Sequence, residues 1–276
     1  MITKSITKPL DSLLLLAVKI KSKLDNNLPA LTVVTGDPGT GKSTLVLQLA
    51  SYFQWLSGKP WDWRKHTHYD GEPFVKSIHR MNDEYVMEIM NEGGESFHNY
   101  EWFSDIAKEM SKATMRARIF KKPYVVIIPF HRKLAVDLRA AADFRIQTYY
   151  HRGHRYARIW AGKRPVSAYH KYTEPFWEEQ CHKYSFPPLP DKFQKEYDRF
   201  DIKAKDELAN KYEGKKKAQA KKRNELIEKY TEVLKKRIVR GERITSSAQV
   251  FTKLRGEGIT QDESREIWSQ VKASPL

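Results

Sequence analysis

The residues best suited to chemistry are Gly36-Asp37-Pro38-Gly39-Thr40-Gly41-Lys42-Ser43, which match G-x-x-x-x-G-K-[ST] at every required position. Glycines let successive backbone N–H groups curl around an anion with no Cβ in the way. A helix opening at Gly41 adds partial positive charge at the same spot. Lys42 is placed to reach the β- and γ-phosphates as a point charge, and the Ser43 hydroxyl to ligate Mg²⁺. Thr44 follows at the start of the helix. The expected ligands are therefore ATP and Mg²⁺.

Hydrolysis asks for more than a phosphate grip. Carboxylates at the tip of a neighbouring strand normally hold the water shell of the metal and activate the attacking water. The best candidate is Tyr85-Val-Met-Glu-Ile-Met-Asn91-Glu92-Gly93-Gly94. Glu92 stands at the strand end, where its carboxylate is predicted to face the γ-phosphate. Asn91 takes the place expected of an aspartate; its amide can bond metal-bound water but brings no charge. A third strand, Tyr124 to Ile128, ends at Pro129-Phe130-His131, and His131 is predicted to sense the γ-phosphate. Arg139, with Arg116 and Arg118 as alternatives, is a candidate arginine finger toward a neighbouring subunit; an ordinary surface arginine is the competing reading of each.

These groups need a scaffold. Leu31-Thr-Val-Val34, Tyr85 to Met90 and Tyr124 to Ile128 are short apolar runs of the kind buried in a parallel sheet. Segments 42–57 and 102–119 are long enough for crossover helices. The pattern predicts an α/β fold: a P-loop core with a mainly parallel sheet, a basic β-hairpin, and a helical C-terminal extension. The predicted parts are an N-terminal helical segment 1–27, the core with its hairpin 28–162, and a Pro-rich connector 163–190. A basic long helix or arm, 191–240, and a small helical element, 241–276, complete the chain.

The hairpin is read from Arg145 to Trp160, turning near Gly153. Residues two apart share a face of a strand, so His154, Tyr156 and Arg158 line one side and Arg155 and Ala157 the other. Arginines alternating with tyrosines can pair with phosphates and stack on bases; Arg152, Arg155 and Arg158 are the candidate nucleic-acid contacts. The competing reading is an ordinary exposed hairpin held by cross-strand aromatic pairs. Beyond the prolines, Phe193, Tyr197, Phe200, Ala204 and Leu208 step at helical spacing, and Leu226, Tyr230, Val233, Leu234 and Ile238 resume the stripe. Between them lie Lys215, Lys216, Lys217, Lys221, Lys222 and Arg223. Two readings of this stretch stay open: a solvated helix, or an arm that touches nucleic-acid phosphates. Near the end, Thr260 and Glu263 form a predicted capping box.

The composition points the same way. The 276 residues carry Lys+Arg 50 against Asp+Glu 34, a net charge of +16. Residues 1–150 contribute 21 basic and 16 acidic side chains, and residues 151–276 contribute 29 and 18. Such an excess suits work against a polyanion, DNA more than RNA. It suits a small-molecule kinase poorly. A single cysteine, Cys181, excludes a disulfide framework and a cysteine zinc site. The longest apolar run, Leu13 to Val18, is too short to cross a bilayer, so no membrane insertion and a cytoplasmic location are expected.

The phosphate loop and Asn91-Glu92-Gly93-Gly94, followed by an aromatic-rich segment (Tyr100, Trp102, Phe103) and Arg116-Ala-Arg118, fall in a familiar order. With the strand Tyr124 to Ile128, the Leu138-Arg139…Ala142-Asp143 segment and the basic hairpin, the chain resembles the FtsK/HerA-type P-loop ATPases. The likeness is to the small archaeal, viral and plasmid branch related to zonular-occludens-toxin-like and genome-packaging ATPases. It spans roughly residues 28–160. It implies a homo-oligomeric ring, often a hexamer, that moves DNA using ATP, with Lys42 and Ser43 on phosphates and metal, Glu92 activating water, and an arginine finger from the next subunit. Asn91 in place of an acid, and His131 where a glutamine-type sensor is usual, are departures from that pattern. A nucleotide-gated binding switch with slow hydrolysis is the alternative they leave open.

Overall fold

The computed structural model describes residues 11–28, 30–80, 84–91, 121–130, 139, 141–163 and 176–273. The chain packs as two units, Met1–Leu208 and Ala209–Leu276. The first is built on a seven-stranded sheet. Its strands are β1 (Ala30–Thr35), β2 (Thr67–His68), β3 (Glu88–Asn91), β4 (Pro123–Ile127), β5 (Phe144–His151), β6 (His154–Lys163) and β7 (Phe176–Ser185). They lie in the order β2-β3-β4-β1-β5-β6-β7. β2 through β5 pair in parallel, and β6 and β7 add antiparallel.

β1 is buried along its whole length, and its side chains alternate between two cores. Ala30 and Val34 pack with helices α1 (Ser12–Asp25) and α2 (Lys42–Ser57), through Leu13, Ile20, Leu45, Leu49 and Phe53. Leu31 and Val33 face the other way, onto Phe74 and Ile78 of α4 (Gly71–Ile78). A strand covered on both faces needs an unbroken apolar run, which is why Leu31 to Val34 is one.

Two predicted elements are corrected. The strand read from Tyr85 begins only at Glu88, because Tyr85 sits at φ 60°, a left-handed conformation that no extended strand accepts. The stretch read as a Pro-rich connector, 163–190, contains β7. Its alternation is obscured by Glu178, Glu179 and Gln180, yet Cys181 and Tyr184 pack on the α1–α2 core. The predicted crossover helix 102–119 lies outside the described residues.

Helix α5 (Asp191–Val239) has 49 residues. Its first part belongs to the sheet unit. There Phe193, Tyr197 and Phe200 surround Trp63 of α3 (Trp63–His66), with ring centroids 5.6, 5.6 and 5.0 Å away. The rest belongs to the second unit, so the boundary falls inside the segment read as one arm. In that unit Ile227, Tyr230 and Leu234 bury against Val250 and Leu254 of α6 (Ser247–Leu254) and Ile267 and Val271 of α7 (Gln261–Ala273). The capping box forms as predicted: Glu263 accepts from Thr260 N–H at 2.8 Å, and Glu263 N–H donates to Thr260 Oγ1 at 3.3 Å.

Candidate functional site

The loop between β1 and α2 is shaped by its neighbours. Gly36 has φ 144°, and a Cβ there would lie 2.4 Å from both the carbonyl and the hydroxyl of Thr148 on β5. Only glycine fits. The Gly36 N–H donates to Pro129 O at 3.1 Å, and the Thr40 and Thr148 hydroxyls share a hydrogen bond of 2.7 Å. The loop is thus tied to both strands that flank β1. Gly39 and Gly41 also have positive φ, 79° and 87°. Gly41 is the N-cap of α2, and no side chain caps that helix. The first-turn N–H groups therefore point outward toward whatever anion approaches. Asp37, Pro38 and Gly39 are exposed at the loop crest, whereas Thr40 and Thr44 are buried. Lys42 folds back over the loop, its Nζ donating to Gly36 O at 2.7 Å and Asp37 O at 2.9 Å. Its ammonium is already held above the amide cradle.

Of the two predicted metal residues, Asn91 is held by α5, and Ser43 opens the face of α2 on which α5 packs through Leu47 and Tyr197. β3 is not the immediate neighbour of β1, since β4 lies between them. The gap at the strand tips is filled by the aromatic face of α5. Tyr197 packs with Leu47, one turn after Ser43 on α2, and its hydroxyl accepts from Asn91 Nδ2 at 3.1 Å. Asn91 Nδ2 also reaches Asp201 Oδ1 at 3.1 Å, and Tyr69 OH donates to that oxygen at 2.6 Å. Lys205 pairs with Asp201 Oδ2. Burial pushes the Tyr197 phenol up to about 12, so it stays a neutral hydroxyl near neutral pH. Tyr69 is raised further, again chiefly by burial. A serine hydroxyl, an amide and a carboxylate are all hard oxygen donors, the set that suits hydrated Mg²⁺. Tyr69, Tyr197 and Asp201 are absent from the sequence-based site. The helical stripe signalled that one face of α5 is packed; nothing in one sequence said against what.

The predicted arginines separate. Arg155 and Ala157 do share a face of β6, and that face meets the phosphate loop: a Cβ on Gly41 would touch Arg155 Cδ at 2.9 Å and Phe186 at 3.1 Å. Arg155 Nη1 is buried with no hydrogen-bond partner among the described residues. It is therefore beside the nucleotide loop rather than on the outer hairpin face, because Arg155 alternates with the outward Tyr156. On that outer face Tyr149 and Tyr156 stack at 5.6 Å, and the Arg158 guanidinium lies 5.7 Å from the Tyr149 ring. Arg152 is exposed at the turn, which it forms with Gly153; both have positive φ, as a tight two-residue hairpin turn requires.

Arg139 lies at the other end of the sheet. β5 runs parallel to β1, so a residue just before β5 sits where β1 begins, away from the loop that follows β1. Asp143 N–H donating to Leu31 O at 2.9 Å fixes this. Arg139 is therefore not beside this chain's own loop. Glu92, His131, Arg116 and Arg118 lie outside the described residues. In the second unit Lys216, Lys217, Lys221, Lys222 and Arg223 are exposed on α5. Lys217 pairs with Glu213, Lys221 with Glu225, and Arg223 with Glu266. The side chain of Lys215 is outside the described set. No described helix is long and apolar enough to cross a membrane.

No protein-family model matches the chain, and no curated protein does. Among solved structures it is similar to the N-terminal domain of zonular occludens toxin from Neisseria meningitidis, at 10% identity and a TM-score of 0.38, over 60% of this chain and 96% of that one. It is also similar to the RadB recombinase, at 17% identity and a TM-score of 0.34, over 54% of this chain and 86% of the other. The fold of the sheet unit is that of a P-loop NTPase, carried by its own strand order and by the Gly36–Ser43 loop set between β1 and α2.

Proposed function

We propose that this chain is an ATPase acting on nucleic acid: it binds ATP with Mg²⁺ at the Gly36–Ser43 loop, hydrolyses it, and works as an oligomeric DNA translocase or packaging-type motor. The observation that supports this best is the loop itself, an uncapped helix start with a lysine ammonium held over it. Backbone amides from Gly39 to Thr44 would grip the phosphates and Lys42 would neutralise them. Ser43 and Asn91 would hold Mg²⁺, whose chemistry there is to offset charge on the phosphate oxygens. Glu92, next after Asn91, is assigned to orient the attacking water, and Arg139 to reach a neighbouring subunit's nucleotide. Arg152 and Arg158, with the α5 lysines, are assigned to nucleic-acid phosphates.

A nucleotide-gated binding switch is the second reading, favoured by one observation: Asn91, an amide where a carboxylate is expected, is engaged by Tyr197 and Asp201. The ATPase rate with and without DNA separates the two. A motor turns over faster with DNA; a switch binds ATP tightly and turns over negligibly. Glu92→Gln is expected to keep ATP binding and lose turnover. Normal hydrolysis by that variant would remove Glu92 from the mechanism.

A further inference from the structure

Asn91 is an anomaly only if strand β3 must bring the negative charge itself. The structure puts a carboxylate beside it from another element. Asp201 Oδ1 is 3.1 Å from Asn91 Nδ2, and Tyr197, whose hydroxyl accepts from the same Nδ2, packs with Leu47, one turn after Ser43 on α2. An aspartate at position 91 would meet Asp201 at this distance as a like charge, which is costly. An amide donates to it instead. Asn91 and Asp201 are complementary as they stand, and together carry the one negative charge that a strand-tip aspartate would otherwise bring.

We infer that Asp201, on helix α5, supplies the carboxylate that holds the water shell of the nucleotide-bound Mg²⁺, with Asn91 as its hydrogen-bonding partner. The assignment rests on the proposed nucleotide site. Three features support it. Asp201 is held from three sides, by Asn91, Tyr69 and Lys205, so its carboxylate is oriented. Its side chain nevertheless keeps 19% exposure, against 4% for Asn91, so hydrated metal can approach it. And the aromatic packing of Phe193, Tyr197 and Phe200 around Trp63 fixes the helix that carries it. Lys205 offsets part of the charge, but it is 41% exposed and free to swing toward solvent when a divalent cation arrives. The metal site would then depend on a helix outside the parallel core, linking metal binding to the docking of α5.

The test is a Mn²⁺ titration, read by electron paramagnetic resonance, of the full chain bound to a non-hydrolysable ATP analogue. Asp201→Asn keeps the shape and the Tyr69 contact while removing the charge. It is expected to weaken Mn²⁺ about 10- to 100-fold, the usual effect of losing an outer-shell partner, while analogue binding in EDTA is unchanged. Asn91→Asp combined with Asp201→Asn reverses the pair and is expected to restore Mn²⁺ affinity, with thermal stability near wild type. A purely structural clamp gives neither result. If Asp201→Asn binds analogue and Mn²⁺ as the wild type does, Asp201 is not the metal's carboxylate, and the nucleotide site stands without it. The same conclusion follows if the reversed pair folds, binds analogue and remains weak for Mn²⁺. If the wild type binds no analogue under any condition, the nucleotide site falls, and the role of Asp201 with it.

Discussion

At the scale of single residues, the phosphate loop was legible because its chemistry is local. Glycines, a lysine and a serine at fixed spacing specify a cradle without reference to the rest of the chain. What the spacing did not reveal is why Gly36 must be glycine: Thr148, far along the sequence, occupies the space. Gly36→Ala is expected to lower stability by about 1–3 kcal/mol, from strain and overpacking together. A denaturant melt checks this; an unchanged midpoint would mean the loop and β5 do not touch. Arg155 illustrates the opposite case. Its type suggested nucleic acid, but strand alternation turns it toward Gly41. The alternation itself was readable from residue order; what lies beneath that face was not, because Gly41 and Phe186 are distant in the chain.

Between elements, the edge formed by β2 and β3 is joined by buried charge. Glu88 is 1% exposed and accepts from His68 Nε2 at 2.8 Å and His66 Nδ1 at 3.3 Å, with Lys122 Nζ 3.8 Å away. Burial alone would raise its carboxyl; the hydrogen bonds and charges of His66 and His68 outweigh that and hold it down at about 2, from an ordinary 4.5. A depressed folded value stabilises the protein fully above pH 4.5, and that contribution is lost as the pH falls from 4.5 toward 2. The span corresponds to on the order of 3 kcal/mol. Acid unfolding curves of wild type and Glu88→Gln should therefore converge below about pH 3. Parallel curves through this range would contradict the arrangement. Apolar spacing identified α2, the stripe on α5 and the strands β1, β3 and β4, but not α3, α4 or β2. It missed β7, whose outward charged residues hide an edge strand, and it could not say that α5 docks its first stripe beside Asn91.

For the whole molecule, the +16 charge and the basic, aromatic outer face of the hairpin are what the proposed nucleic-acid role rests on. Removing one phosphate-binding side chain should change the slope of log affinity against log salt by ~0.9 for duplex DNA and ~0.7 for single strands. Arg152→Ala with Arg158→Ala is expected to flatten that slope by about one to two; an unchanged slope would move the interface away from the hairpin. On α5, Lys217, Lys221 and Arg223 each stand in an exposed pair with Glu213, Glu225 and Glu266, which a phosphate would have to displace. Because Arg139 stands at the far end of the sheet from its own loop, its proposed part in hydrolysis is across a subunit boundary. Arg139→Ala should therefore leave ATP binding intact and lower turnover. Mixing it with a Lys42→Ala chain should restore activity only if the two meet in one assembly. Every role assigned above requires that the Gly36–Ser43 loop bind a nucleoside triphosphate. Calorimetric titration of ATP with Mg²⁺ into the wild type and Lys42→Ala tests this most directly. Saturable binding by the wild type, abolished in Lys42→Ala, is the predicted result; absence of binding by the wild type, or equal binding by both, would contradict it.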